Sequence, residues 1–331
     1  MKRIDVIATS ISGSISDWKK VERIVPLFAE AGFNDVRLHA VETHLDARRA
    51  ACAALIDGGR TPISAGGSGT FRAVLEGCID ANIPLSSIRL GFLRKGSADL
   101  IGKVLDMPDV IEDAVAVFAE SIRRDQFINA DILQVHCPGS DDPPQHFIGY
   151  SGAELFGRIP HYTENRFIKY YKGVLGQLFG DLGPFTTGMT LAIAERLVRA
   201  PFRRASSWDI IADGAPALHG KFQAIMVVNG YLGPELAFSD QPLGAGEFYA
   251  FGIRDLGMLK LWRQAIMARK GTLAESAEKW GFCAVTAKET LQLVCDRDVR
   301  FPVNVDGHTL IARHAVEYRR LGQIPLIARS Q

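Results

Sequence analysis

The stretch TPISAGGSGTFRAVLEG, residues 61–77, decides the fold of this chain. A short apolar run ends at two glycines, and apolar side chains then recur at helical spacing, which predicts a strand, a tight turn and a helix. Glycines at 66, 67 and 69 allow the turn to take positive φ and let backbone N–H groups approach a ligand. The helix points the positive end of its dipole at the same place. Such a turn can hold a phosphate, although glycine turns also occur here for steric reasons alone.

This stretch is the third of four strand–helix units. Strands are also predicted at residues 3–8, 36–40 and 88–93, and each is followed by an amphipathic pattern. The predicted helices besides the one in the glycine stretch cover residues 18–30, 45–55, 98–104 and 110–122. Regular alternation of this kind predicts a parallel sheet with helices on its faces. In such sheets ligands bind beyond the carboxyl ends of the strands, where the four loops gather.

The pattern changes after residue 123. Strand-like runs separated by loops predict an antiparallel β domain, with runs at 127–135, 147–150, 206–211, 222–228, 248–253 and 291–294. Two helical insertions are expected within it, at residues 165–179 and 187–198. The aromatic side chains of the first insertion are typical of a core, or they line an apolar cleft.

Composition narrows the classes of function. The chain has 331 residues, enough for two domains, and 38 Lys and Arg nearly balance 37 Asp and Glu. This balance gives no electrostatic reason to expect a nucleic-acid partner. No segment approaches the ~20 apolar residues of a membrane span, so we expect a soluble, cytoplasmic protein that is free to touch a membrane surface. The five cysteines are widely separated and lack metal-site spacing, which predicts buried thiols.

Several separated stretches resemble the diacylglycerol kinase-like lipid kinases, a family that includes sphingosine and ceramide kinases. The family's Gly-Gly-Asp-Gly-Thr is present as Gly66-Gly67-Ser68-Gly69-Thr70. Its first loop, Asn-Pro-x-Ser-Gly, is similar to residues 9–13, and its Thr followed by Asp-Ala matches Thr43, Asp46 and Ala47. Further segments that resemble the family are Gly96–Leu100, Asn229-Gly230 and Asp306–His308.

The resemblance implies a fold, a donor and an acceptor. The fold is an α/β nucleotide-binding domain of the kind shared with NAD kinases, over residues 1–125, and a mainly antiparallel β-sandwich lipid domain over residues 126–314. The chain end, about residues 315–331, is expected to pack back on the first domain. ATP with Mg²⁺ would be the donor, although no metal ligands are assigned. The implied nucleotide-binding residues are Ser12, Gly13, Thr43, Gly66, Gly67, Ser68, Gly69, Thr70, Gly96 and Ser97. The implied partner is a lipid at the inner face of the membrane; oligomeric state stays open.

Three positions depart from the family, which has acidic residues where this chain has Ser68, Leu100 and His308. A kinase needs a group that receives the proton of the substrate hydroxyl and oxygens that hold Mg²⁺. Asp99 is the candidate for one of these tasks, with Asp306 as the other nearby carboxylate. His308 is a candidate base or phosphate contact, or a structural residue of a turn.

The segment Gly96–Asp99 resembles the form found in ceramide kinases, so ceramide is the favoured acceptor, followed by diacylglycerol or a sphingoid base.

Two other hypotheses about the function stay open. Ser68, Leu100 and His308 are also what a catalytically inactive relative that binds nucleotide or lipid would carry. Alternatively, Ser68 lies between a strand and a helix, where a serine hydrolase places its nucleophile. That reading needs an aspartate and a histidine from elsewhere in the chain, for which Asp306 or Asp213 and His308 or His314 are available.

Overall fold

A computed structural model describes residues 3–9, 21–94, 100–163, 191–195, 206–232, 239–257, 260, 263–264, 267 and 277–329. The chain divides into two compact units. The first comprises Met1–Ile132 together with Gly322–Gln331, and the second comprises Leu133–Leu321. No helix among the described residues is long and apolar enough to span a bilayer.

The first unit contains a four-stranded sheet in the order β2-β1-β3-β4, in which every neighbouring pair is parallel. Its strands are β1 (Ile4–Thr9), β2 (Val36–Val41), β3 (Thr61–Gly66) and β4 (Gly91–Arg94). Its helices are α1 (Ile24–Glu30), α2 (His44–Ile56), α3 (Ser68–Asp80), α4 (Leu100–Val104) and α5 (Ile111–Arg124). The parallel α/β sheet predicted from the sequence is thereby confirmed.

Burial explains why these segments form the centre of the sheet. All six residues of β1 and all six of β3 are buried, as expected for strands covered by helices on both faces. Aromatic side chains join the layers. The rings of Phe71 on α3 and Phe92 on β4 lie 4.7 Å apart between centroids, and those of Phe28 on α1 and Phe118 on α5 lie 6.3 Å apart.

Helices α2 and α3 approach closely at Gly77. A Cβ at this position would lie 2.8 Å from the Cβ of Ala51 and would also meet the carbonyl oxygen of Arg48. Glycine is therefore required by the close contact of the two helices, and its place on α3 fixes how α2 and α3 lie side by side.

The last described residues of the chain belong to the first unit. Leu90 forms a parallel bridge with Leu326, and the amide of Ile327 donates to the carbonyl of Leu90 at 2.9 Å. The hydroxyl of Ser121 on α5 donates to the carbonyl of Ala328 at 2.6 Å. These bonds join the chain end to β4 and α5.

The second unit is rich in antiparallel strands, as predicted. The sheet follows the order β11-β10-β9-β7-β13-β14-β15-β12-β8, with β5 and β6 attached beside it. The long strand β9 pairs with β8 along its first half and with β7 and β10 along its second half. The strands are β5 (Ile128–His136), β6 (Gln145–Phe147), β7 (Tyr150–Glu154), β8 (Ser207–Ala212), β9 (Ala215–Val228), β10 (Phe248–Arg254), β11 (Phe282–Ala287), β12 (Thr290–Cys295), β13 (Arg300–Val305), β14 (His308–Arg313) and β15 (Ala315–Leu326).

The core of the second unit forms around large side chains from opposite parts of the sheet. Trp208 is almost fully buried, and its ring meets that of Phe301 edge to face at 4.9 Å. Its indole N–H donates to Oε1 of Glu154 at 3.1 Å, which satisfies the polar atom of a buried ring. Phe147 and Tyr318 pack against each other at 6.2 Å within the same cluster.

The structure differs from the predicted elements at several places. The single strand expected at residues 147–150 is wrong, because β6 ends at Phe147 and β7 begins at Tyr150 with a turn between them. Strands β11, β13, β14 and β15 and the helices α6 (Leu155–Thr163) and α7 (Ala277–Trp280) were not predicted. The predicted insertion at 165–179 lies outside the described residues. Of the insertion at 187–198, residues 191–195 are described, and they are helical.

Candidate functional site

The carboxyl ends of the four parallel strands meet at one edge of the first sheet. Thr9 lies opposite Val41, Ala8 lies opposite Ala65, and Gly66 lies opposite Arg94 in the register of the strands. The chain moves from β1 to one side of the sheet to form β2 and then to the other side to form β3. The switch point is therefore between β1 and β3, which is where ligands bind in open α/β sheets.

The glycine turn begins at this switch point. Strand β3 ends at Gly66, Gly67 is the N-cap residue, and α3 begins at Ser68. The expectation of positive φ is wrong, because none of these glycines nor Gly69 is among the residues with positive φ. Gly67 has φ −88° and ψ −175°, an extended conformation open to any residue. Glycine is needed here because a side chain would not fit, rather than because the backbone adopts a special conformation.

Thr70 explains the glycine at position 66. A Cβ on Gly66 would meet the Thr70 hydroxyl and would lie 2.6 Å from the Thr70 Cβ. The Thr70 side chain is buried, and its Oγ1 lies 2.7 Å from Oγ1 of Thr9 in a hydrogen bond. Thr70, predicted as a nucleotide ligand, therefore connects the end of β1 to the first turn of α3.

His44 explains the glycine at position 69. A Cβ on Gly69 would lie 2.8 Å from Cε1 and 2.9 Å from Nε2 of His44, so the imidazole occupies the space beside the turn. Partial burial and the positive charge of Arg72 lower the pKa of His44 below its usual value. Sequence reasoning missed His44, because nothing in the local pattern connects it with a turn 25 residues later.

Thr43 lies at the same edge and has a clear local role. It is the N-cap residue of α2, and its hydroxyl accepts a hydrogen bond from the amide of Asp46 at 3.0 Å. The Thr43 hydroxyl also donates to the Asp46 carboxylate at 2.5 Å. The Thr-x-x-Asp pattern that resembles the family is thus a helix cap, which places the N-terminus of α2 beside the glycine turn.

The remaining predicted residues of the first domain divide into two groups. Ser68 is exposed at the first position of α3, where no side chain caps the helix. Ser12, Gly13, Gly96, Ser97 and Asp99 lie outside the described residues.

Asp306 and His308 lie in the second unit, in and after the turn that joins β13 to β14. The Asp306 carboxylate accepts three backbone hydrogen bonds, from the amides of Ile148 and Gly149 at 3.3 Å and of Tyr150 at 2.8 Å. It therefore shapes the turn between β6 and β7, which is the physical reason why residues 147–150 are not one strand. His308 is the first residue of β14 and is partly buried.

The described residues include no group of three or more His, Cys, Asp or Glu side chains placed to hold a metal ion. Two of the carboxylates near the family motifs, Asp46 and Asp306, serve a helix cap and a turn instead.

The comparisons with known proteins agree with this geometry. Residues 3–135 match the family model of the diacylglycerol kinase catalytic domain. Two crystal structures of proteins from Bacillus anthracis str. Sterne, described as diacylglycerol kinases, are similar over 99% of this chain. One has 18% identity, a TM-score of 0.69 and 95% of its own length covered. The other has 17% identity, a TM-score of 0.65 and 97% covered.

The similarity to these two structures shows the fold alone. No curated protein matched the sequence. The family model covers the parallel sheet and the glycine turn described above. Residues 3–135 of this chain are therefore similar to the diacylglycerol kinase catalytic domain, and the chain as a whole has the fold of these two bacterial proteins.

Proposed function

We propose that this protein transfers the γ-phosphoryl group of ATP to the primary hydroxyl of a membrane lipid. The observation that carries the proposal is the turn Gly66–Thr70, which lies at the switch point of a parallel sheet and leads directly into α3. Ligands bind at such switch points, and phosphates bind at helix N-termini that follow glycine turns.

The turn offers the groups that a phosphate needs. Helix α3 has 13 residues, and no side chain caps its N-terminus. The first amides of a helix lack partners within the helix and point along its dipole toward a ligand. Ser68 adds an exposed hydroxyl at the first position, whereas Thr70 is buried and holds the turn from behind. The ATP phosphates would therefore meet the amides of the turn and the Ser68 hydroxyl.

Phosphoryl transfer depends mainly on positioning and on electrostatic stabilisation of a loose transition state. This supports activity without the acidic residues that the family has at Ser68, Leu100 and His308. We assign Asp99 the task of receiving the proton of the lipid hydroxyl. Mg²⁺ would arrive bound to ATP and neutralise phosphate charge. The three backbone hydrogen bonds that the Asp306 carboxylate accepts support a structural role for that residue rather than a catalytic one.

The proposed acceptor of the phosphoryl group is ceramide, followed by diacylglycerol and sphingoid bases. This order is based on the sequence Gly96–Asp99, which resembles the ceramide kinases. The apolar chains of the lipid would lie in the second domain. Because the acceptor resides in a bilayer, the protein would work as a cytoplasmic enzyme that associates with the membrane surface.

The test is phosphate transfer from labelled ATP with Mg²⁺ by the purified full chain. Ceramide, a sphingoid base and diacylglycerol are supplied separately in detergent micelles, and the products are identified by mass. Gly69→Asp should abolish turnover, because a charged side chain would enter the phosphate turn. Asp99→Asn should lower kcat far more than it weakens ATP binding. A matched control, Asp141→Asn, changes an exposed carboxylate in a loop of the second unit and should leave turnover unchanged.

The alternatives give different results in the same assay. Nucleotide binding without labelling of any lipid would overturn the kinase proposal in favour of an inactive relative. The geometry gives less support to the hypothesis of a serine hydrolase. The nucleophile of such an enzyme lies on a strained turn, whereas Ser68 is not among the residues with positive φ. The carboxylates of Asp306 and Asp213 each accept three backbone N–H bonds and hold turns.

A further inference from the structure

The imidazole of His44 lies directly against the glycine turn. Its Cε1 and Nε2 atoms are 2.8 Å and 2.9 Å from the place where a Cβ of Gly69 would be, whereas Nδ1 is farther away at 3.6 Å. The edge of the ring that carries Nε2 therefore approaches the backbone of the turn. His44 is the first residue of α2, at the carboxyl end of β2, so it lies at the edge where the strand ends meet.

The surroundings of His44 favour an anion. Arg72, one turn further along α3, acts on the imidazole with its positive charge. Helices α2 and α3 both begin at this edge, and each has 13 residues. The carboxylates of Glu42 and Asp46 stand two residues away from His44 along its own segment, and Asp46 is hydrogen-bonded to Thr43. The imidazole thus lies beside the N-terminus of α3 and feels the charge of Arg72, and both disfavour its charged form.

We propose that His44 is a nucleotide ligand of this chain, which donates a hydrogen bond from Nε2 to a phosphate oxygen held at the glycine turn. This inference rests on the proposed function, because it assumes that the turn binds a nucleotide. The phosphate would place a negative charge within hydrogen-bond distance of the imidazole. The imidazole would then take up a proton as the nucleotide binds, and affinity would rise as the pH falls from about 8 to about 6, the range in which a histidine titrates.

The direction of the proton movement follows from the charges. Partial burial and Arg72 hold the pKa of His44 below its usual value, so the ring is neutral near pH 7 before binding. A phosphate within hydrogen-bond distance raises that pKa because it stabilises imidazolium. A ring that only filled space beside Gly69, out of reach of the phosphate, would not show this rise in pKa on binding.

ADP is the probe, because it carries phosphates and gives no turnover. Calorimetry on the full chain at pH 6.5, in two buffers with different ionisation enthalpies, measures both affinity and proton uptake. Loss of a charged hydrogen bond in His44→Ala should weaken ADP binding by roughly tenfold at pH 6.5. The loss should be smaller at pH 8, where the imidazole is neutral in both states. His44→Gln keeps an N–H donor and should weaken binding less, without proton uptake.

Two further measurements separate ligation from structure. His219→Ala changes a histidine of the second unit that is paired with Asp209, and this variant should bind ADP like the original chain. Thermal unfolding of each variant shows whether it is folded. NMR titration of the His44 Cε1 proton, with and without ADP, should show a higher pKa with ADP.

The outcomes are distinct. If the original chain binds ADP and His44→Ala binds it equally well at pH 6.5, the role of His44 is overturned while the proposed function stands. If the pKa of His44 is the same with and without ADP, the proposed role of His44 is likewise overturned while the proposed function stands. If the original chain binds neither ADP nor ATP, the proposed function falls, and the assignment of His44 falls with it.

Discussion

The hydroxyl oxygens of Thr9 and Thr70 lie 2.7 Å apart in a buried hydrogen bond, although the residues are 61 positions apart in the sequence. Thr9 is the last residue of β1, and Thr70 is in the first turn of α3. The bond connects the two elements on either side of the switch point. It ties the end of β1 to the helix that follows the glycine turn.

Breaking this bond should destabilise the domain without removing any group that meets the ligand. We expect Thr70→Val, which preserves shape, to lower the free energy of unfolding by about 1–2 kcal/mol because a buried hydroxyl of Thr9 loses a partner. In a double-mutant cycle with Thr9→Val, the two losses should not add. Urea unfolding of the four proteins measures this coupling. Strictly additive losses would show that the two hydroxyls stabilise the fold independently.

Gly69 and His44 should also behave as one unit in nucleotide binding. A Cβ at Gly69 would displace the His44 ring, because its Cε1 and Nε2 atoms occupy that space. Gly69→Ala and His44→Ala should therefore each weaken ADP binding by roughly tenfold, and the double variant should be no weaker than either one. Calorimetry at pH 6.5 gives the four affinities. Independent effects that multiply to roughly a hundredfold would contradict a shared mechanism.

Strands β1 and β3 were predictable because burial on both faces leaves near-continuous runs of apolar and small residues. The hairpin of β13 and β14 was not recognised, because Pro302 lies within β13 and proline is unusual inside strands. Its turn carries a usable signal: Asp306 and Gly307 have φ of 44° and 85°, and Asp-Gly is typical of two-residue hairpin turns.

The site was predictable only in part. The glycine pattern located the turn, but the reason for each glycine depends on side chains that reach it from elsewhere. Gly66 makes room for Thr70, and Gly69 makes room for His44 from a different helix. Contacts of this kind leave no periodicity in the sequence. The same holds for Asp306, whose partners at residues 148–150 lie where β6 ends and β7 begins.

Asp306 should prove to be a structural residue of the second unit. Asp306→Ala removes an acceptor of three backbone N–H bonds, so we expect a loss of roughly 1–3 kcal/mol in the free energy of unfolding. ADP affinity should be unchanged, because the Asp306 carboxylate accepts the amides of residues 148–150 and serves the turn that they form. Asp213→Ala is the matched control, since Asp213 accepts the amides of Lys288, Glu289 and Thr290 in the same manner. A catalytic Asp306 would instead show normal unfolding with a large loss of kcat.

Asp5 should make the first unit sensitive to acid. Its carboxylate is 1% exposed and accepts hydrogen bonds from Arg3 at 2.9 Å and His39 at 3.0 Å. Burial alone would raise the pKa of Asp5, but these two partners outweigh it and hold the pKa below its usual value. A carboxyl group with a lowered pKa in the folded state contributes stability above its unfolded pKa of about 4, and loses it as the pH falls further.

We therefore expect Asp5→Asn to lower the free energy of unfolding by about 3 kcal/mol at pH 7, because it breaks a buried ion pair and leaves Arg3 with one carboxylate fewer. The difference between the two proteins should shrink as the pH falls below about 4, since Asp5 then becomes neutral in the original chain as well. Urea unfolding from pH 7 to pH 3 measures both curves. Asp141→Asn, an exposed control, should follow the original chain throughout. A difference that stayed constant down to pH 3 would show that the Asp5 charge does not contribute to stability.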